Sequence, residues 1–363
     1  TNSEILETLF SISELFVTLS SLKKKTFCVL FLQLKILLDT KLARYRFENN
    51  LCSYSTLYIF HNYSGCDLRE IFYNHEGKVS NIATLTLNNI HTISNCYIYH
   101  FQKIPHILTD IDDTLFPHRM PFVGQDNKGT NKVPYPGVIQ FHKEFKRTHS
   151  KLLHVENNTF EIENYVTILS ATPMRIKKSR YDNKILTDIL GSNYSFLHGA
   201  ESYSQIMKTI EFTKTTIPTL SINNKVVGNT KFNRFKEYSS IFPEYQYIFI
   251  GDNGQGDFLT GEKISELSPD TFVFIHNIKV KDKLKMDSKE IINIEKKLIR
   301  LRFFHNYHML SILFQDVNLF EKKSVNLINK SIFSQINKTR RRGNLRKRKK
   351  KRKRKTKRKY KKK

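Results

Sequence analysis

The sequence predicts an α/β fold, a mostly parallel, Rossmann-like sheet flanked by helices, over residues 104–280. Three observations carry this. Short apolar runs recur there (PHIL, YVTIL, YQYIFI and TFVFI), each of strand length and rich in β-branched or aromatic residues. Amphipathic stretches separate them, at 138–145 and 232–242, which is the alternation of a βαβ chain. The runs are continuously apolar, as strands are when helices cover both faces of a parallel sheet.

The remaining regions read differently. Residues 1–103 open with helical periodicity (Ile5, Leu6, Leu9, Phe10), and IATLTL and CYIYHF alternate enough to suggest short strands, so a mixed helix-and-strand region is expected. The run TFCVLFLQLKILL at 26–38 is interrupted by Lys35 and is too short to span a bilayer. It reads first as a core helix or strand and second as an interfacial helix. No transmembrane segment or signal peptide is expected. Residues 281–337 read as a helical segment packed on the sheet domain, with Ile291, Ile294, Leu298, Leu301, Phe304 and Leu310 near helical spacing.

Charge divides the chain again. Of the 61 basic residues, 20 lie at 338–363 with no acid among them, leaving 41 against 33 acids, or +8, for the rest of a chain whose net charge is +28. The polybasic tail cannot bury apolar surface and should be disordered alone. It suits nuclear targeting, a nucleic acid or an anionic membrane surface. Four cysteines without a CxxC pair imply reduced thiols and an intracellular protein, in the cytoplasm, at a membrane periphery or in the nucleus.

In an open parallel sheet, ligands gather beyond the carboxyl ends of the strands. PHIL is followed by Thr109, Asp110, Ile111, Asp112, Asp113 and Thr114; YVTIL by Ser170 and Ala171; YQYIFI by Gly251, Asp252, Asn253, Gly254, Gln255, Gly256 and Asp257. In extended backbone Asp110 and Asp112 point to one side while Ile111 packs away. Two such carboxylates repel unless a cation intervenes, and oxygen donors suit a hard ion such as Mg²⁺, with Asp252 as a third carboxylate. Singly, each piece also fits a solvated turn or a helix cap.

Taken in order, these motifs resemble the haloacid dehalogenase superfamily of phosphatases. DIDDTL, PYPGV, SATP, FPEYQYIFIGDNGQGD and the later FIH resemble, more narrowly, the catalytic domain of actin-patch type phosphatidate phosphatases, over roughly residues 104–310. The resemblance implies a phosphoric monoester hydrolase with an aspartyl-phosphate intermediate and Mg²⁺ as cofactor. It implies Asp110 as nucleophile and metal ligand, and Asp112 as general acid and base whose carbonyl binds the metal. Thr114, Ser170 and Ala171 would line the phosphate site, Thr114 also supporting the loop. Lys231, eleven residues before Phe242, would neutralise the phosphoryl group, Asp252 would bind Mg²⁺ and Asp257 would order its outer shell.

Lys225 rivals Lys231 as the catalytic lysine. Asp113 has no assigned role, and His198 and His276 read as packing or loop residues. KLLHVENNTFEIEN reads as an inserted loop or hairpin, 124–132 as a loop on the substrate side, and IPTLSINNKVVGN is unassigned. The alternative function is a nucleic-acid-associated protein using the tail, either a nucleic-acid-end phosphatase or a non-catalytic binder.

Overall fold

The computed structural model describes residues 2–48, 68–73, 78–117, 130–149, 152–155, 158–161, 164–171, 183–197, 210–213, 219–222, 224–254, 256–278 and 288–338. The expectations for 124–129, His198 and 339–363 lie outside these residues. The chain opens with helices α1 (Asn2–Thr18), α2 (Ser21–Glu48), α3 (Leu68–Phe72) and α4 (Asn81–His100). Then follow β1 (Ile104–Thr109), α5 (Val138–His149), the hairpin β2 (Leu152–Val155) and β3 (Asn158–Glu161), β4 (Val166–Leu169), α6 (Asn183–Leu190) and β5 (Tyr194–Leu197). The hairpin β6 (Ile210–Thr213) and β7 (Thr219–Ile222) leads to α7 (Asn224–Ile241), β8 (Tyr245–Asp252), α8 (Asp257–Leu267) and β9 (Phe272–His276). Last come α9 (Ser288–Lys297), β10 (Leu301–Phe304), α10 (Tyr307–Asp316) and a helix over 322–338, here α11.

Six strands form one sheet in the order β10-β9-β8-β1-β4-β5, every pairing parallel. Numbered along the chain, the order is 3-2-1-4-5-6 from β5 to β10, the arrangement of a Rossmann-like sheet. The order in which strands are added reverses between β1 and β8, so the crevice beyond their carboxyl ends is where such a fold binds ligands. The central strands are buried on both faces: Ile107, Leu108, Ile248, Phe249 and Ile250 are fully enclosed.

Three expectations are corrected. IATLTL and CYIYHF are not strands but lie on or at the end of the single helix α4. Its N-cap Ser80 accepts from Ala83 N, and Ala83, Thr86, Ile90, Ile93 and Tyr97 form one buried stripe at helical spacing. The β-branched content imitates a strand locally, while the stripe over twenty residues decides the element. The segment 281–337 is not wholly helical, because Leu301–Phe304 pairs with Val273–His276 as the sheet's sixth strand. That strand puts the boundary expected at 280 inside the sheet. Finally, among the described residues 1–103 holds helices and an isolated bridge, Tyr73 to Val79, but no strand.

The N-terminal helices share the core of the sheet. Lys35 of α2 is fully buried; its ammonium donates to Ile241 O at 2.6 Å and to Glu244 Oε2 at 3.1 Å. Ser94 of α4 donates to the same carboxylate oxygen at 3.2 Å. Arg69 of α3 reaches Glu237 at 3.1 Å, and the Tyr238 hydroxyl donates to Asp39 at 3.2 Å. These contacts seat α2, α3 and α4 on α7 and the start of β8. No described helix is long and apolar enough to cross a membrane. Cys28 and Cys96 are free thiols.

Candidate active site

Backbone register builds the site. Thr109 is level with Ile250 on one side of β1 and with Ile168 on the other. Asp110 therefore stands level with Gly251, and Asp252 and Ser170 sit one residue further along the flanking strands. The Asp110 amide donates to Ile250 O at 2.9 Å, holding the residue in line with the sheet as the strand ends. All three side chains are buried.

The chain then turns sharply. Asp113 adopts φ 59°, a left-handed conformation that aspartate tolerates better than most residues. Its amide donates to Phe116 O, and Leu115 N donates to Ile111 O, both at 2.9 Å. The Asp113 carbonyl accepts from His276 Nδ1 at 2.7 Å, which makes that nitrogen the protonated one. His276 is itself fixed by stacking on Phe304 and by the edge of Tyr135, at 4.8 and 4.9 Å between ring centroids. The Tyr307 hydroxyl donates to Thr114 O at 3.0 Å, while the buried Thr114 hydroxyl has no partner among the described residues. Asp112 is also buried and lies near enough to raise the proton affinity of Asp110.

Lys231 enters from α7. Its ammonium donates to Asp110 Oδ1 at 2.7 Å and to Asp257 Oδ1. The helix approaches because Gly228, one turn earlier on α7, meets Gly256 at the start of α8: a Cβ on Gly228 would lie 2.7 Å from Gly256 O. Gly256 has φ 82°, which a glycine adopts without strain. Thr260 reinforces the crossing by donating to Gly228 O and Gly256 O. Gly251 leaves room for the Asp257 carboxylate, which would be 2.9 Å from any added Cβ. Lys225, by contrast, is exposed at the start of α7.

Asp257, expected in an outer shell, stands in the same cluster as Asp110 and Asp252. One carboxylate oxygen from each lies within 4.8 Å of the others. Asp257 Oδ2 accepts from the Asp252 amide at 3.3 Å, and Asp252 Oδ1 accepts from Gly254 N. Among the described residues, Asp252 Oδ2 is buried without a partner. An unmatched buried carboxylate oxygen costs free energy unless a cation or proton meets it.

Electrostatics point the same way. Burial raises the proton affinity of Asp252 well above the carboxylate range, and Asp257, Asp113 and Asp110 add to it. Asp257 is pushed up to about 7, first by burial and then by Asp110, with Lys231 opposing. Burial also raises Asp110, against the pull of Lys231 and with Asp112 adding to the rise. Burial disfavours the charge on Lys231, but Asp110 and Asp257 outweigh it and hold the proton. Among the described residues, one ammonium, that of Lys231, is shared between the carboxylates of Asp110 and Asp257. The donors are all oxygens, so the residues fit a hard divalent ion such as Mg²⁺.

Of the residues named from sequence, the structure gathers Asp110, Lys231, Asp252 and Asp257 into one contact group. It places Asp112 and Thr114 on the adjoining turn, and Ser170 and half-buried Ala171 at the end of the neighbouring strand β4. Sequence reasoning missed the clamp that His276 and Tyr307 place on the turn 110–116. The usable hint was His276 itself, which closes the run TFVFI at a strand end. No family model, curated protein or solved structure matches this chain.

Proposed function

We propose that the protein is a Mg²⁺-dependent phosphatase of the haloacid dehalogenase type, hydrolysing a phosphomonoester through an aspartyl-phosphate. The observation that supports it best is the buried pair of Asp110 and Lys231, 2.7 Å apart, beside Asp252 and Asp257 at the switch point of the sheet. Phosphatidate or a related lipid phosphate is the narrower reading, supported by the resemblance of the motifs and by the polybasic tail.

In this reading an Asp110 oxygen attacks phosphorus, and the bond to the leaving oxygen breaks as protonated Asp112 gives up its proton. Asp112 then takes a proton from water, whose oxygen attacks phosphorus, frees Asp110 and releases inorganic phosphate. Asp110, Asp252 and the Asp112 carbonyl would hold Mg²⁺, with Asp257 beside them; the ion supplies positive charge to the phosphoryl oxygens. Lys231 compensates charge on Asp110 and the phosphoryl group, and Ser170 with Thr114 offers hydroxyls to its oxygens. The clamp from His276 and Tyr307 keeps the turn in place through the cycle.

Hydrolysis of a soluble phosphomonoester with and without Mg²⁺ tests the reading. Turnover should need the ion and vanish in Asp110→Asn, with a phosphate-labelled intermediate trapped on wild type alone. Undiminished turnover in Asp110→Asn removes the mechanism. Turnover confined to soluble esters, with lipid vesicles refused, removes the lipid substrate; a preference for nucleic-acid ends favours the alternative reading of the tail.

A further inference from the structure

The helix α11 runs antiparallel to α5. At one end the His149 ring meets Leu319 O at 3.0 Å and Arg147 donates to Ser324 Oγ at 3.0 Å, both against the last turn of α5. At the other end Gln335 Oε1 accepts from Gly137 N at 3.3 Å, and Ile332 packs where a Gly137 side chain would be. Gly137 stands at the start of α5, two residues from Tyr135, whose amide donates to Leu115 O of the catalytic turn at 3.0 Å. The last turn of α11 therefore lies at the catalytic end of the sheet. The 20 basic residues of 338–363 begin there.

That end also carries exposed apolar side chains. Phe333 is 60% and Ile336 37% exposed, spaced three residues apart on the last turns of α11. Val133, on the segment leading into α5, is 50% exposed, and Met309 on the first turn of α10 is 36% exposed. Residues exposed singly need no explanation. Phe333 and Ile336 directly precede the strongest positive run in the chain, and an anionic bilayer is the surface that takes apolar side chains and positive charge together. A nucleic acid would use the charge but has little for Phe333 and Ile336, and Tyr360 is the only aromatic residue in 338–363 on which a base could stack.

We infer that the end of α11 is a docking wedge that seats the catalytic end on an anionic lipid surface, Phe333 and Ile336 entering the interface and the basic run holding the headgroups. This rests on the phosphatase reading only for its consequence, that the substrate is a phosphomonoester presented at a membrane; the docking itself needs no turnover.

The test is sedimentation of the full chain with phosphatidylcholine vesicles, with and without phosphatidylserine. Wild type should bind the anionic vesicles and leave the neutral ones, and added salt should weaken binding. Phe333→Ala with Ile336→Ala should weaken it by about tenfold or more, with turnover of a soluble ester unchanged. The chain has no Trp, so Phe333→Trp gives a sole reporter whose emission should move to the blue on anionic vesicles. An unmoved emission from bound protein overturns the wedge, as does a double variant that binds like wild type. Binding of duplex RNA with no binding of vesicles overturns it too. Failure of all ester turnover would remove the phosphatase reading while the sedimentation result still decided the docking.

Discussion

Replacing Lys35 by Met tests whether the N-terminal helices are part of the same folding unit as the site. The Lys35 ammonium is fully enclosed, 3.1 Å from Glu244 and 4.8 Å from the Phe242 ring centroid. Burial lowers its proton affinity and Glu244 restores part of it. Removing one partner of such a pair leaves a buried carboxylate uncompensated, which costs about 3–5 kcal/mol. Against a total stability of about 5–15 kcal/mol, that is a large share. At roughly 2 °C per kcal/mol for a large domain, the melting temperature should fall by about 6–10 °C. Replacing both partners, Lys35→Met with Glu244→Leu, should recover most of the loss, because two matched apolar groups leave no charge behind. Denaturant titration followed by far-ultraviolet circular dichroism and by turnover measures both. A loss below about 1 kcal/mol, or a separate early transition that spares turnover, would refute the packing described for α2.

Other outcomes follow from the site and the core. Lys231→Ala should lower turnover of a soluble ester by about 10²–10³-fold, while Lys225→Ala should leave it unchanged, as steady-state kinetics would show. Gly256→Ala places a Cβ 2.5 Å from Asn224 O at φ 82°. It should cost about 1–3 kcal/mol and reduce turnover by parting α7 from α8, checked by denaturation midpoint and kinetics together. Burial pushes His106 and His142 down to about 3 from an ordinary value of 6.5. The unfolded chain therefore takes up protons that the folded chain refuses, and stability is lost as pH falls below 6.5 towards 3. Between pH 7 and 5 each ring should account for about 2 kcal/mol, so His142→Phe should halve that part of the pH slope in urea midpoints.

Legibility in the sequence tracked position in the sheet. The four central strands read clearly because helices cover both their faces, leaving continuous apolar runs such as YQYIFI. The edge strands YSFL and LRFF, four residues each, carry too little pattern, and LRFF has Arg302 within it. Local alternation misled at α4, where Ile and Thr imitate a strand until the stripe from Ala83 to Tyr97 is followed whole. The acidic strand ends were legible because sheet topology sends ligands to them. Their supports were not: nothing local marks Lys35 as the partner of Glu244, 209 residues away, or Gly228 as the point where α7 meets α8.

The order of the strands sets when the site comes into being. Asp110 directly follows the first strand of the sheet, and its partner Lys231 is 121 residues further along. A chain emerging from the ribosome at about 5–20 residues per second therefore holds Asp110 without Lys231 for several seconds or more. Until β8 slots in beside β1, the carboxylates of the turn 110–113 face solvent and an open strand edge lies next to them. Pairing β8 with β1 closes that edge and brings Asp252 to it, while α7 before β8 and α8 after it carry Lys231 and Asp257. Activity on refolding should thus return with the last cooperative phase, and chains truncated before Asp257 should show none at any time.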